Sequence, residues 1–165
     1  MFSEFSTFFQ ENVENVENEN EKDDNMAPPP GSDYEVAFSY HSESMLERAY
    51  DKAEHWVKEG VRPKKIFLED RSMGVINFRK IMRDPLLIQA GVERFVDFRC
   101  SLTLSDTDVD AVFSSVCYYE ADSEPTYINA YDPELSSIKE VLNMVSENLF
   151  NYLQKPLVHN DLTEN

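Results

Sequence analysis

The stretch that most constrains the fold is Val92–Ser105, VERFVDFRCSLTLS. From Val96 onward, Val96, Phe98, Cys100, Leu102 and Leu104 fall on one side. Glu93, Asp97, Arg99, Ser101, Thr103 and Ser105 fall on the other, with Phe95 the single apolar exception. A period of two sustained over this length predicts a half-buried antiparallel strand. Such a strand must lay its apolar side against other elements, and the rest of the chain supplies them.

Residues 34–155 read as one α+β domain. YEVAFSY alternates Val36, Phe38 and Tyr40 with Glu35, Ala37 and Ser39, which predicts a first strand. Ser44 is expected to open a helix, with Glu47 as its capping-box partner. Leu46, Ala49, Tyr50, Ala53, Trp56 and Val57 then form one apolar stripe, stopped at Gly60 and Pro63. KKIFLED and GVINFRKIM predict a hairpin turning at Asp70–Gly74, where glycine supplies backbone freedom. Asp84-Pro85 ends it, and PLLIQAG is expected to fold over an edge of the sheet.

After the long strand, SDTDVD is a polar turn and AVFSSVCYYE a further strand. Its facing is open from the sequence. Val112, Val116 and Tyr118 make one inner set, and Ala111, Phe113, Cys117 and Tyr119 make the other. ADSEPTYINAY reads as a loop. Asp132 as N-cap and Pro133 at the first position then begin a six-turn helix that runs to Pro156. Leu135, Ile138, Val141, Leu142, Val145, Leu149, Tyr152 and Leu153 keep its stripe. The element order is β-α-β-β-β-β-α. It predicts an antiparallel sheet with the long C-terminal helix packed on one face and the other face wet.

That order resembles the TBP-like and helix-grip folds. Trp56, the run Ile66 to Asp70 and Gly74-Val75-Ile76 are similar to small TBP-like domains of unknown function in bacterial envelope proteins, over roughly residues 34–120. The resemblance implies a curved sheet wrapped on a long helix, and a cell-envelope location if a leader has been removed. The opening MFSEFSTFF lacks the basic start and apolar middle of an export signal. If Met1 is the native start, the expected location is the cytoplasm.

The chain carries a net charge of −17, about half of it in residues 1–33, where nine acids face only Lys22. That segment reads as a disordered acidic arm, ENVENVENENEKDDN, followed by the stiff spacer APPPGS. Phe2, Phe5, Phe8 and Phe9 could line one side of a short helix that docks in a partner's groove. Residues 156–165 read as a flexible tail. An acidic field repels phosphate backbones, so direct nucleic-acid binding is not expected. TATA-binding proteins grip DNA with basic residues and aromatic wedges. Here the long strand's outer side offers one arginine, Arg99, against Glu93 and Asp97.

No catalytic, cofactor or metal site is expected. His41, His55, His159, Cys100 and Cys117 have no metal-ligand spacing. Asp106, Asp108 and Asp110 begin like a calcium loop but lack its glycine and final glutamate. Cys100 and Cys117 could pair if the register set them opposite. No apolar run approaches the roughly 20 residues of a membrane-spanning helix.

The expected function is a non-enzymatic protein-interaction or structural module. It would act through the sheet face, a sheet edge or the arm, with Phe2, Phe5, Phe8, Phe9, Phe95 and Arg99 as partner contacts. The alternatives are a helix-grip carrier of an apolar small molecule and an acidic mimic of nucleic acid.

Overall fold

The computed structural model describes Phe9 and residues 34–156. The strands are β1 (Val36–His41), β2 (Lys65–Asp70), β3 (Val75–Arg83), β4 (Arg94–Leu104), β5 (Asp108–Glu120) and the short β6 (Thr126–Tyr127). The helices are α1 (Ala49–His55), which continues as a π-helical turn over Trp56–Val61, and α2 (Leu135–Gln154). The fold is α+β. The sheet runs β1-β5-β4-β3-β2, antiparallel throughout, with β6 paired to β5 beyond the end of β1.

Both helices cover one side, the inner face. Val96, Phe98, Cys100, Leu102 and Leu104 of β4 point there, as their alternation demands, beside Ile76, Phe78 and Met82 of β3. From α2 come Ile138, Val141, Leu142, Val145, Leu149 and Leu153, all buried. The rings between the layers meet edge to face: Phe98 and Phe113 at 5.2 Å, Trp56 and Phe78 at 6.4 Å. Tyr40 and Trp56 reach α2 with polar ends, donating to Asn143 Oδ1 and Asn148 Oδ1, each at 2.8 Å. Rings with a polar tip fit such a seam, where one end is dry and the other partnered.

The register of β5 resolves into both sets at once. Ala111 and Phe113 face inward, and so do Val116 and Tyr118. Between them the pairing with β4 slips, and Ser115 takes φ 50°. A bulge adds one residue and so reverses the parity of everything after it. Val112 therefore shares the outer face with Cys117 and Tyr119. Cys100 and Cys117 lie on opposite faces and are both free thiols, so the register forbids the disulfide.

Three local expectations are corrected. The first helix starts at Ala49 and not at Ser44, with Arg48 at its N-cap in the left-handed region. The preceding segment is pinned elsewhere: Ser42 N–H donates to Thr107 O at 2.8 Å and Leu46 N–H to Asp106 O at 2.6 Å. Those bonds to the β4–β5 turn hold it out of a helix. The PLLIQAG connection does not lay its apolar groups on the sheet, since Leu86 and Ile88 are exposed. Its ends are drawn together by Asp84, which accepts from Leu86 N–H at 2.9 Å and from Arg94. The last helix starts two residues past Pro133. Asp132 still caps its entry, accepting from Glu134 N–H at 2.8 Å.

Candidate functional site

The outer face of the sheet has neither α1 nor α2 upon it, yet it is not the wet surface expected. Arg79 of β3 and Asp97 of β4 form a two-pronged pair there, Nε to Oδ1 at 3.0 Å and Nη2 to Oδ2 at 2.7 Å. Both are buried. The planar fork matches the carboxylate, which is how such a pair tolerates loss of water. Next to it Ile81, Phe95 and Tyr119 make a second apolar cluster, with the Phe95 and Tyr119 rings 5.6 Å apart. Three adjacent strands each supply one of these: Phe95 stands opposite Tyr119, and Ile81 opposite Asp97, two residues along β4 from Phe95.

Toward the β2 edge the face becomes more exposed and more basic. Phe67 carries the Arg99 guanidinium 4.4 Å above its ring centre and the Lys65 ammonium at 5.4 Å. The pairing of β2 with β3 shifts between Ile66 and Leu68. Phe67 occupies that irregular position, and Leu68, beside it, is 44% exposed. Arg83 at the far end pairs with Glu93 at 2.7 Å. The whole is a strip of cations and rings: Lys65, Phe67, Arg99, then Arg79–Asp97, then Phe95 and Tyr119.

A second polar constellation lies beneath the start of α2. Arg94 Nε and Nη2 donate to Asp84 Oδ2 at 3.0 and 2.6 Å, and its Nη1 donates to Glu134 Oε1 at 2.8 Å. Its guanidinium lies 5.0 Å from the centre of the Tyr118 ring. Tyr118 in turn donates its hydroxyl proton to Asp132 at 3.0 Å. Burial, with the Asp132 carboxylate beside it, pushes the Tyr118 phenol up to about 12. A phenol that keeps its proton is a fixed donor. The network therefore joins the β3–β4 connection to the entry of α2, and its role is structural.

The other candidate groups are spent on the fold. Burial pushes the Cys100 thiol far above the usual thiol range, away from the thiolate a nucleophile needs. His41 pairs with Asp108 at 2.7 Å on the surface, across β1 and β5. His55 stacks on Tyr152 with ring centres 6.3 Å apart. Among the described residues, no three His, Cys, Asp or Glu side chains are placed to hold a metal ion. None of the described helices is long and apolar enough to cross a membrane.

Of the predicted contact residues, Arg99 and Phe95 share the outer face. Arg99 is half-buried on Phe67, whereas Phe95 is 4% exposed and spends its ring on Tyr119. Phe9 is 3% exposed and sits edge-on to Trp56 in the helix-side core, so it is not a side chain held out to a partner. Phe2, Phe5 and Phe8 lie outside the described residues, as does His159. Lys65, Phe67 and Arg79 were missed because one strand was weighed by itself. Arg79 shares the parity of Asn77 in GVINFRKIM; the β2–β3 hairpin sets it opposite Lys65, and the β3–β4 pairing sets it opposite Arg99.

The architecture recurs in solved structures. A TBP-like protein from Parabacteroides distasonis matches with a TM-score of 0.56 at 11% identity, over 79% of this chain and 99% of that one. This chain has a TBP-like fold. A DUF4468 family protein from Bacteroides ovatus matches with a TM-score of 0.53 at 9% identity, over 78% and 91% of the two chains. At such identities the likeness is one of TBP-like architecture alone. No protein-family model matches the chain, and no curated protein does.

Proposed function

We propose that this chain is a non-enzymatic protein-interaction module, and that its binding surface is the basic, aromatic end of the outer sheet face. The carrying observation is the stack of Arg99 and Lys65 on Phe67, seated beside the buried Arg79–Asp97 pair. Aromatic side chains and arginine are enriched where partners bind most strongly. A ring already stacked loses little freedom on contact, so the surface is prepared before its partner arrives. The fitting partner is a protein segment bearing carboxylates next to an apolar side chain, the latter meeting Leu68. Nucleic acid fits less well. Arg79 and Arg83 are matched by Asp97 and Glu93 on the same face, and the chain as a whole is strongly acidic.

The place where a helix-grip carrier would hold its cargo is taken by Phe98 and Phe113 in edge contact. No observation favours that reading or the nucleic-acid mimic.

The test is affinity capture from native extract with the wild-type chain and with Leu68→Glu/Arg99→Glu. Leu68 is exposed and Arg99 is half-buried on Phe67, so circular dichroism should match the wild type, with the melting temperature lowered only by loss of that stack. A protein retained by the wild type and lost by the variant is the expected result. An identical set of captured proteins would refute the assignment of this face.

A further inference from the structure

Phe9 is distant in sequence from the rest of the described chain, yet it belongs to the same buried cluster as Trp56 and Phe78. Its ring stands edge-on to Trp56, centres 5.7 Å apart, and the Lys80 ammonium lies 5.8 Å from the ring centre. Between Phe9 and β1 stand residues 10–33, whose composition, acidic with three consecutive prolines, has little to bury.

The walls of the Phe9 socket have anchors of their own. Trp56 is tied to α2 through Asn148 and packs on Phe78. Lys80 Nζ donates to Val61 O at 2.7 Å and Arg62 O at 3.4 Å, at the end of the π-helical turn. Lys64 N–H donates to Arg79 O at 2.7 Å on the strand next to Lys80. Lys80 is thus a cation held in place at the wall of the socket. The segment that carries Phe9 has nine acids against one lysine. An aromatic slot with a fixed cation at its wall suits an apolar ring with carboxylates close by in sequence.

We propose that the Trp56–Lys80 socket is a peptide-docking site for a phenylalanine followed by acidic residues, as Phe9 is by Glu11, Glu14 and Glu17, and that Phe9 occupies it in cis. The N-terminal arm is then a tethered ligand. A tether of this length holds its ligand at an effective concentration on the order of millimolar, so a competing peptide must overcome that. The socket lies on the helix side of the sheet. Its test is therefore independent of the outer-face reading, and either can fail alone.

Trp56 is the chain's only tryptophan, so its fluorescence reports on the socket directly. The measurement compares the full chain with its Phe9→Ala variant, following emission wavelength and acrylamide quenching. A synthetic peptide of residues 2–17 is then titrated into the variant, beside the same peptide carrying Phe9→Ala. The expected result is a red shift and severalfold stronger quenching in the variant, with its far-UV circular dichroism preserved. The native-sequence peptide should reverse both saturably, at least tenfold more tightly than the altered peptide, and more weakly as salt rises. An unchanged Trp56 spectrum, equal action of the two peptides, or collapse of the Phe9→Ala fold would overturn the proposal. So would a wild-type dimer that Phe9→Ala converts to monomer, since the occupant would then come from a second copy.

Discussion

His41 illustrates how a single exposed pair can be read. Its hydrogen bond to Asp108, and then the charge of that carboxylate, raise its pKa, while the same bond lowers that of Asp108. Folded His41 thus holds its proton more tightly than the unfolded chain does. Whatever stability this adds is complete below the ordinary value of about 6.5 and is lost as pH rises through the folded value. The Asp108 contribution runs the other way, present above about 3.9 and lost as pH falls. An NMR titration of the His41 ring should give a midpoint above that of a free histidine, and Asp108→Asn should bring it back. Gly74 is a different case, fixed by space and backbone together. It has φ +69°, and a β-carbon there would be driven into Leu104 O, whose own N–H donates to Gly74 O at 2.8 Å. The left-handed backbone disfavours any side chain, and the close approach leaves no room for one. Gly74→Ala should cost about 2–3 kcal/mol, measured by urea unfolding.

At the scale of the element, the β5 bulge decides which residues the sheet buries. Ser115 sits in the left-handed region, which costs an ordinary residue about 1–2 kcal/mol and costs glycine nothing comparable. Ser115→Gly should therefore be neutral to stabilising by about 1 kcal/mol, offset in part by glycine's freedom when unfolded. Ser115→Val should destabilise, because a β-branched side chain tolerates positive φ worst. Equal melting temperatures for the two would show that the bulge relaxes. Here the limit of sequence reading is visible. Period-two alternation gave β4 its correct facing, since no bulge interrupts its apolar series. The same alternation could not place β5, where two apolar sets overlap and an extra residue joins them. Helical periodicity found the stripe of α2, buried throughout except at the half-buried Leu135, though not the buried Ser146. It misplaced the start of α1, because bonds to a turn sixty residues away keep Ser42–Leu46 out of the helix. Long-range hydrogen bonds leave no local pattern to read.

For the whole molecule, the outer face poses the question of why a sheet should bury an ion pair at all. Desolvating Arg79 and Asp97 is costly, and their attraction recovers that cost only with good geometry. The paired fork provides the geometry. Even so, replacing a buried pair with apolar residues of similar size is often neutral, or stabilising by about 1–4 kcal/mol. Removing one partner is another matter and typically costs about 3–5 kcal/mol, because a charge is left buried alone. Arg79→Met and Asp97→Leu should each lower the urea midpoint sharply, while the double variant should recover to the wild-type value or beyond. If the pair serves binding, the double variant will be stable yet impaired in partner capture, with Arg99 no longer held beside a fixed neighbour. A double variant as unstable as either single one would assign the pair to the fold instead. It would also leave Lys65, Phe67 and Arg99 as the whole of the docking surface.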